Sequence, residues 1–546
     1  MLKTLLKVIN LFFPEGDRAT PLLDLTSFEH SRSFKHFIKT HYKDLLILFI
    51  LFFVGLVFRF YYINFGLPHS FHADEPEIVE PAIKYTFELK NIVQNSDYYK
   101  FIPVSFVYGT FPTYVNTMLV MLYSKSANLL GLAFDKSTLY VLSRGFVALT
   151  NASLIFLTYF LYVRVTKVYK GALLAALLFA LNWNQIVLSH YVNQDAYTVF
   201  LQLLALYFGY RLFDSKIKTL TVVILGVLVG FLIGTKITTV IVLPLFLLPF
   251  IAKKDIRSLV AFLFIVFGSF CLSNPFSIIF FQDFMLRIVE MFTKEAGVVI
   301  DSYDPTIFKY FLSLENLITS FLLILSLLGM VHFGFRNETT GYKKIYLLGF
   351  IVIYVVFFSI SSRRIDRWVA PIVPLLLIFS SYYLAHLSKK IGLFLVLVSI
   401  SVYLYKPALL LYQYQRFTPK SEAYLWLQKN TNAVDRKFVL TEEGLDPINK
   451  LPNSSSLVFN QYESEGAFLT FPPNPYLYDY IILSSKSLDS YKKDFIQKEH
   501  PYYFEKWERF ESLVTTSKDF ENVYEKSISK PNLINVSDVY VYKRVR

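Results

Sequence analysis

Charged side chains stand at the ends of apolar runs in five places along this 546-residue sequence, and their types suit acid–base and anion-binding chemistry. The segment FHADEPEIVEPAIKY carries His72, Asp74 and Glu75 just beyond one apolar run, and SHYVNQDAY carries His190, Asn193 and Asp195 beyond another. Lys236, in the tripeptide GTK, sits between two strongly apolar runs with no polar loop around it. SSRRIDRW brings Arg363, Arg364, Asp366 and Arg367 together before a further run, and Arg144 opens yet another. A positioned carboxylate can take a proton from a hydroxyl. Arginine can grip a phosphate as a bidentate fork and lysine as a point charge. Ionisable groups beside lipid-length apolar stretches are costly, so their collection calls for a reason.

The elements that must position these groups are membrane helices. Hydrophobic residues make up 54% of the chain and the mean hydropathy is +0.44, which no ordinary soluble domain reaches. Runs near the roughly 20 residues needed to cross a bilayer recur between residues 45 and 412 and then stop. The formal charge is +13, yet residues 413–546 hold 18 Lys and Arg against 18 Asp and Glu. The basic excess therefore lies in short clusters between apolar runs, which argues for membrane topology and against nucleic-acid binding. Cys271 is the single cysteine, so no internal disulfide is available.

Placing the Lys/Arg clusters on one side fixes the threading. Residues 1–44, opening on the amphipathic MLKTLLKVINLFF, form a cytoplasmic segment with an interfacial helix. The first span covers about residues 45–63 and leads to an outer loop at 64–140. Within that loop the stretch at 109–131, interrupted by Pro112, Asn116, Lys125 and Asn128, is expected to lie along the outer membrane face. If it crossed, every later basic cluster would face outward. The expectation is a polytopic α-helical membrane protein of about eleven transmembrane helices over 45–412, with outer juxtamembrane helices. Residues 413–546 follow as a small soluble C-terminal α/β domain, with strands at KFVL, DYIILSS and VYVYKR and helices at 420–430 and 505–513.

Each polar group also has a purely structural reading. Asp74 with Glu77 and Pro76 has the pattern of a helix N-cap with its capping box. Asp195 could cap the following span, Lys236 could snorkel to the interface, and an arginine of the SSRRIDRW segment could anchor a helix end among headgroups. The histidines show none of the spacing that a zinc site needs.

HADEP, YGTFPTY leading a surface helix, Arg144, HYVNQDAY, GTK and RRIDRWVAPIVP occur here in an order that resembles the polyprenyl-phosphate-dependent glycosyltransferases of the GT-C type. The branch is the one containing protein O-mannosyltransferases and the lipid A aminoarabinose transferase. The resemblance spans residues 45 to about 390, and YLWLQKN is similar to the start of the C-terminal domains of bacterial members. It implies a GT-C-like module that moves a sugar from a polyprenyl-monophosphate donor to an extracytoplasmic glycan, lipid or protein acceptor, in a bacterial inner membrane. It implies Asp74 as catalytic base, Glu75 beside it and Asp195 as a second carboxylate on the acceptor side. Lys236, Arg363, Arg364, Arg367 and Arg144 are then the cations for the donor phosphate, with His72, His190 and Tyr108 as further substrate contacts. Members differ in metal use, which leaves a divalent cation, magnesium or manganese, open. Ala73 stands where proline is frequent, and Phe87 to Val107 is longer and more polar than usual, which bears on the acceptor. The competing readings are a glycan polymerase or ligase with a diphosphate donor, and a transporter or flippase. The latter favours charges near the bilayer midplane, whereas here they gather at outer ends.

Overall fold

The computed structural model describes residues 31–67, 72, 74–95, 109–130, 135–167, 169, 171–214, 216–293, 307–336, 339–360, 365–416, 418–431, 437–442, 454–459, 474–499, 501–528, 532–534 and 536–545. The amphipathic start, Tyr108, Arg363 and Arg364 lie outside these residues.

Long apolar helices dominate the first three quarters of the chain. Helix α1 (Ser31–Phe60) leads into the acidic α2 (Asp74–Gln94), and α3 (Phe111–Leu130) packs against α2. Next come α4 (Lys136–Thr166), the bent pair α5 (Ala172–Ala180) and α6 (Trp183–Ser189), α7 (Gln194–Asp214), and α8 (Thr219–Thr235). A 3₁₀ stretch (Ile237–Val242) then starts α9 (Leu243–Lys253), followed by α10 (Ile256–Ser273). Three shorter helices, α11 (Pro275–Ile279), α12 (Phe281–Thr293) and α13 (Ile307–Ile318), precede α14 (Ser320–Phe335) and α15 (Gly341–Ser359). A second 3₁₀ stretch (Asp366–Ile372) starts α16 (Val373–His386), and α17 (Lys389–Arg416) closes the bundle.

Among the described residues six helices are long and apolar enough to cross a membrane, and the bent α5–α6 pair makes a seventh. Together with α1 and the shorter apolar stretches at α8, α9 and α14 they form eleven apolar helical segments. Helix α3, 20 residues long, is not among them. The central segments are wrapped by others: α16 and α7 are almost wholly buried, whereas α10 presents Phe264, Phe267 and Leu272 outward. Exposed rings on a membrane helix are lipid-facing surface rather than a defect.

One buried cation fastens the first span. The Arg59 side chain is inaccessible to solvent and donates through Nε to Asn151 at 2.8 Å, and through Nη1 to the carbonyls of Gly55 and Ala180 at 3.0 Å. Ala180 ends α5, so the guanidinium caps the negative end of a helix dipole. Close packing of α14 on α16 depends on Gly329, where a Cβ would stand 2.1 Å from the Phe379 carbonyl oxygen.

The C-terminal domain is a five-stranded sheet between helices. Its strands are β1 (Lys437–Glu442), β2 (Ser454–Phe459), β3 (Tyr480–Ser484), β4 (Phe520–Lys526) and β5 (Val539–Arg544), in the order β2-β1-β3-β5-β4. The β1 pairings are parallel, and those of β5 are antiparallel. Strand residues alternate faces. Val439, Ile482, Val539 and Val541 pack with Ala423 and Leu427 of the helix Pro419–Asn430. Leu440, Ile481, Leu483 and Tyr542 pack with Trp507, Phe510 and Val514 of the helix Pro501–Thr515. The expected strands are thus β1, β3 and β5, and two further strands complete the sheet.

The domain rests on the bundle. Leu533 and Ile534 share an apolar cluster with Phe65, Ile186, Leu410 and Tyr414, and the Leu533 N–H donates to Gln413 Oε1 at 2.9 Å.

Candidate active site

The termini of these helices bring the charged motifs together. At the start of α7, Asn193 accepts the Ala196 N–H at 2.8 Å, so Asn193, not Asp195, fills the capping role there. Asp195 is left to reach sideways. Its Oδ1 lies 2.6 Å from Lys236 Nζ, and its Oδ2 lies 3.0 Å from Arg367 Nε. Arg367 continues to Asp74, donating from Nη2 to Oδ2 at 2.9 Å. Its remaining nitrogen, Nη1, stands 2.6 Å from Nε2 of His72, whose ring stacks on Tyr191 at 4.1 Å. Acid and base thus alternate along Asp74, Arg367, Asp195 and Lys236, residues contributed by four separate segments. Lys236 also lies 5.6 Å from the ring centre of Trp368.

Lys236 is held by backbone geometry. It stands between the end of α8 and the 3₁₀ stretch that opens α9, with extended backbone. Asn274, between α10 and α11, locks this corner: its Nδ2 donates to the Gly234 carbonyl at 2.9 Å and its Oδ1 accepts the Thr110 N–H at the same distance. A side chain at Gly234 would collide with Ser273 Oγ at 2.0 Å, and one at Gly109 with the Gly234 carbonyl oxygen at 1.9 Å. The glycines of GTK and YGTFPTY therefore permit one backbone to lie on the other.

Behind Asp74 the neighbouring carboxylate is committed elsewhere. Glu75 and Arg144 are both fully buried and pair bidentately, Nε to Oε1 at 2.7 Å and Nη2 to Oε2 at 2.6 Å. Arg144 Nη1 donates to the carbonyls of Ile63 and Phe65 at 2.9 and 2.7 Å, while Glu75 Oε1 also accepts the Val192 N–H at 3.0 Å. The pair sews the start of the first outer loop to α4 and to the loop before α7.

His72 is held neutral. Burial lowers its pKa to about 4, with Arg367 acting in the same direction, Asp74 and Asp195 opposing, and Lys486 of the C-terminal domain adding to the fall. His190 lies apart from the charged chain. Its ring nitrogens stand 2.8 Å from the carbonyl oxygens of Ile186 and Tyr61, and its ring stacks on Tyr414 at 4.1 Å, beneath the docked C-terminal domain.

Of the described residues that sequence reading placed in one site, Asp74, Asp195, Lys236, Arg367 and His72 come together, Glu75 and Arg144 pair with each other beside them, and His190 lies apart. It missed Asn274, Trp368 and Tyr191, whose types give no chemical signal of their own. Among the described residues no three His, Cys, Asp or Glu side chains converge as a metal site. Asp74 and Asp195, the two carboxylates that could share a divalent cation, share the Arg367 guanidinium instead. That arrangement does not fit a bridging metal.

No family model and no curated protein sequence matches the chain. Solved structures do. The archaeal oligosaccharyltransferase AglB of Archaeoglobus fulgidus, in complex with an inhibitory peptide and a dolichol-phosphate, superposes with a TM-score of 0.52 at 13% identity over 87% of this chain and 69% of its own. ArnT of Cupriavidus metallidurans bound to undecaprenyl phosphate superposes with a TM-score of 0.51 at 13% identity over 92% of this chain and 98% of its own. Its apo state gives 0.52 at 12% identity with the same coverage. The long apolar helices, the terminal α/β domain and these superpositions together give the chain the GT-C membrane fold.

Proposed function

We propose that this protein is a membrane glycosyltransferase that moves a sugar, with inversion, from a polyprenyl-monophosphate donor to an acceptor hydroxyl on the extracytoplasmic side of a bacterial inner membrane. The observation that carries the reading is the alternating chain Asp74–Arg367–Asp195–Lys236, built where helices end at one face of the bundle. Asp74 is the general base, and a base so positioned contributes typically 10²- to 10⁴-fold in rate. Arg367 aims it. Lys236 and Arg367 hold the leaving phosphate, with Arg363 and Arg364, just before Arg367 in sequence, as further cations for it. Asp195, with one oxygen on each cation, keeps the two oriented, as well as standing on the acceptor side.

Glu75 and Arg144 fasten the loop that carries Asp74; every contact of the Arg144 guanidinium described above goes to Glu75 or to backbone. The likeness to an ArnT structure bound to undecaprenyl phosphate supports a lipid-phosphate donor. The likeness to an oligosaccharyltransferase supports transfer of a larger glycan, which keeps the ligase reading, with its diphosphate donor, as the second. The monophosphate reading is favoured because the ArnT likeness takes in 92% of this chain and 98% of its own, against 87% and 69% for AglB.

The test is release of sugar from a panel of radiolabelled polyprenyl-monophosphate and polyprenyl-diphosphate sugars by purified protein with envelope extract, comparing wild type with Asp74→Asn. Transfer from a monophosphate donor, lost in the variant, is the expected result. Wild-type activity in Asp74→Asn would remove Asp74 as base, and transfer from diphosphate donors alone would favour the second reading.

A further inference from the structure

A second charged cluster stands at the far end of the bundle. Helix α7 carries Asp195 in its first turn and ends at Asp214. At 1.5 Å per residue the two lie about 28 Å apart, close to the thickness of a hydrocarbon core. Three cations from two other helix ends meet the Asp214 carboxylate: Lys343 Nζ at 2.5 Å, Lys167 Nζ at 3.2 Å and Arg164 Nε at 3.6 Å. Among the described residues, three positive charges on one carboxylate leave two uncompensated.

These side chains are not spread into water. Lys343 lies over the Tyr210 ring and Arg164 over the Tyr207 ring. Arg164 is 92% buried, and its Nε–H has no hydrogen-bond acceptor among the described residues. Burial, with Arg164 and Lys343 adding to it, holds the Lys167 ammonium below its usual pKa despite Asp214. A half-buried cluster with excess positive charge and an unmet donor among the described residues suits an anion. On the helix that carries Lys343, Tyr342 and Ile345 are exposed apolar neighbours, the surroundings of a lipid rather than of a soluble ion.

We propose that Arg164, Lys167 and Lys343 bind the headgroup phosphate of an anionic phospholipid in the leaflet opposite the one that faces Asp74. Basic pockets between transmembrane helices recognise lipid headgroups in this way. Asp214 gathers the three cations and, as a like charge, weakens the lipid it helps to place.

The protein is reconstituted in nanodiscs of phosphatidylcholine alone or with phosphatidylglycerol as a minority lipid, and retained lipid is counted by native mass spectrometry after release. Wild type is expected to keep phosphatidylglycerol selectively. Lys167→Gln and Lys343→Gln each lose about fivefold in retention, while Asp214→Asn raises it. Lys167 is the most exposed of the three cations, so its variant folds even where loss of Lys343 unsettles the bundle. The proposal is overturned if phosphatidylcholine is retained equally, if Lys167→Gln binds phosphatidylglycerol as wild type does, or if inorganic phosphate displaces the lipid and stabilises the protein equally. That last outcome would make the ligand a soluble anion.

Discussion

Arg367 is the residue on which the proposed active site turns, and replacing it by glutamine has a cost that can be worked out. The guanidinium lies 2.9 Å from an oxygen of Asp74 and 3.0 Å from an oxygen of Asp195. Given the span of the group itself, the two carboxylates are within about 8 Å of each other, and at an effective dielectric near 20 their repulsion is about 2 kcal/mol once the cation is gone. The charge-assisted hydrogen bond that aims Asp74 is worth about 1.5–3 kcal/mol more. Arg367→Gln should therefore lower kcat/KM for sugar transfer by about 10²- to 10⁴-fold. The double variant Arg367→Gln with Asp195→Asn removes the repulsion as well, and should recover up to about 30-fold of that loss. The assay is single-turnover release of labelled sugar at several donor concentrations. Arg367→Gln within about tenfold of wild type, or a double variant falling by the product of the two single effects, would refute the coupling argued here.

Glu75→Gln leaves Arg144 buried without its counter-charge and should cost about 3–5 kcal/mol of stability; thermal unfolding in detergent measures it, and Glu75→Gln with Arg144→Met should recover part of the loss. His72 is held neutral in the fold with its pKa near 4, by burial first and then Arg367. Its contribution to stability is complete above the ordinary histidine value of 6.5 and is lost as pH falls toward 4, because the unfolded chain takes up the proton first. Between about pH 7.5 and pH 5 wild type should therefore lose more unfolding temperature than His72→Gln, and equal losses would contradict the assignment. Gly329→Ala drives a Cβ to 2.1 Å from a backbone oxygen and should cost about 1–3 kcal/mol, whereas Gly334→Ala, with nothing within 4 Å, should leave the unfolding temperature near that of wild type.

The bundle was legible because lipid imposes a strict rule: apolar runs of bilayer length must be helices, and basic clusters reveal where they end. Asp74, Asp195, Lys236 and Arg367 were legible for the complementary reason that a charge at the edge of such a run is too costly to be casual. What escaped had no such cost to betray it. Asn274 acts through an amide that any loop could carry, and Arg59, wholly buried among carbonyls, stands near the end of the first apolar run with nothing beside it in sequence to single it out. Strands β2 and β4 were missed because SSSLVF opens on serines and FENVYEK carries charge along an edge strand, so neither shows a clean apolar alternation. The partners chosen by Glu75 and Arg144, 69 residues apart, follow from packing alone.

The seat of the C-terminal domain also bears on a question of parity. Phe65 and Tyr414 meet ring to ring at 4.8 Å, so the chain leaves the first span and the last span at the same end of the bundle. A thread that departs from one side and returns to it has crossed an even number of times. Between these residues lie ten apolar segments, counting α5 with α6 and each 3₁₀ stretch with the helix it opens. Had α3 crossed as well the count would be odd, and Tyr414 would have finished a membrane's width away from Phe65. If each of the ten crosses once, the contact between Phe65 and Tyr414 requires α3 to lie along the membrane instead of passing through it.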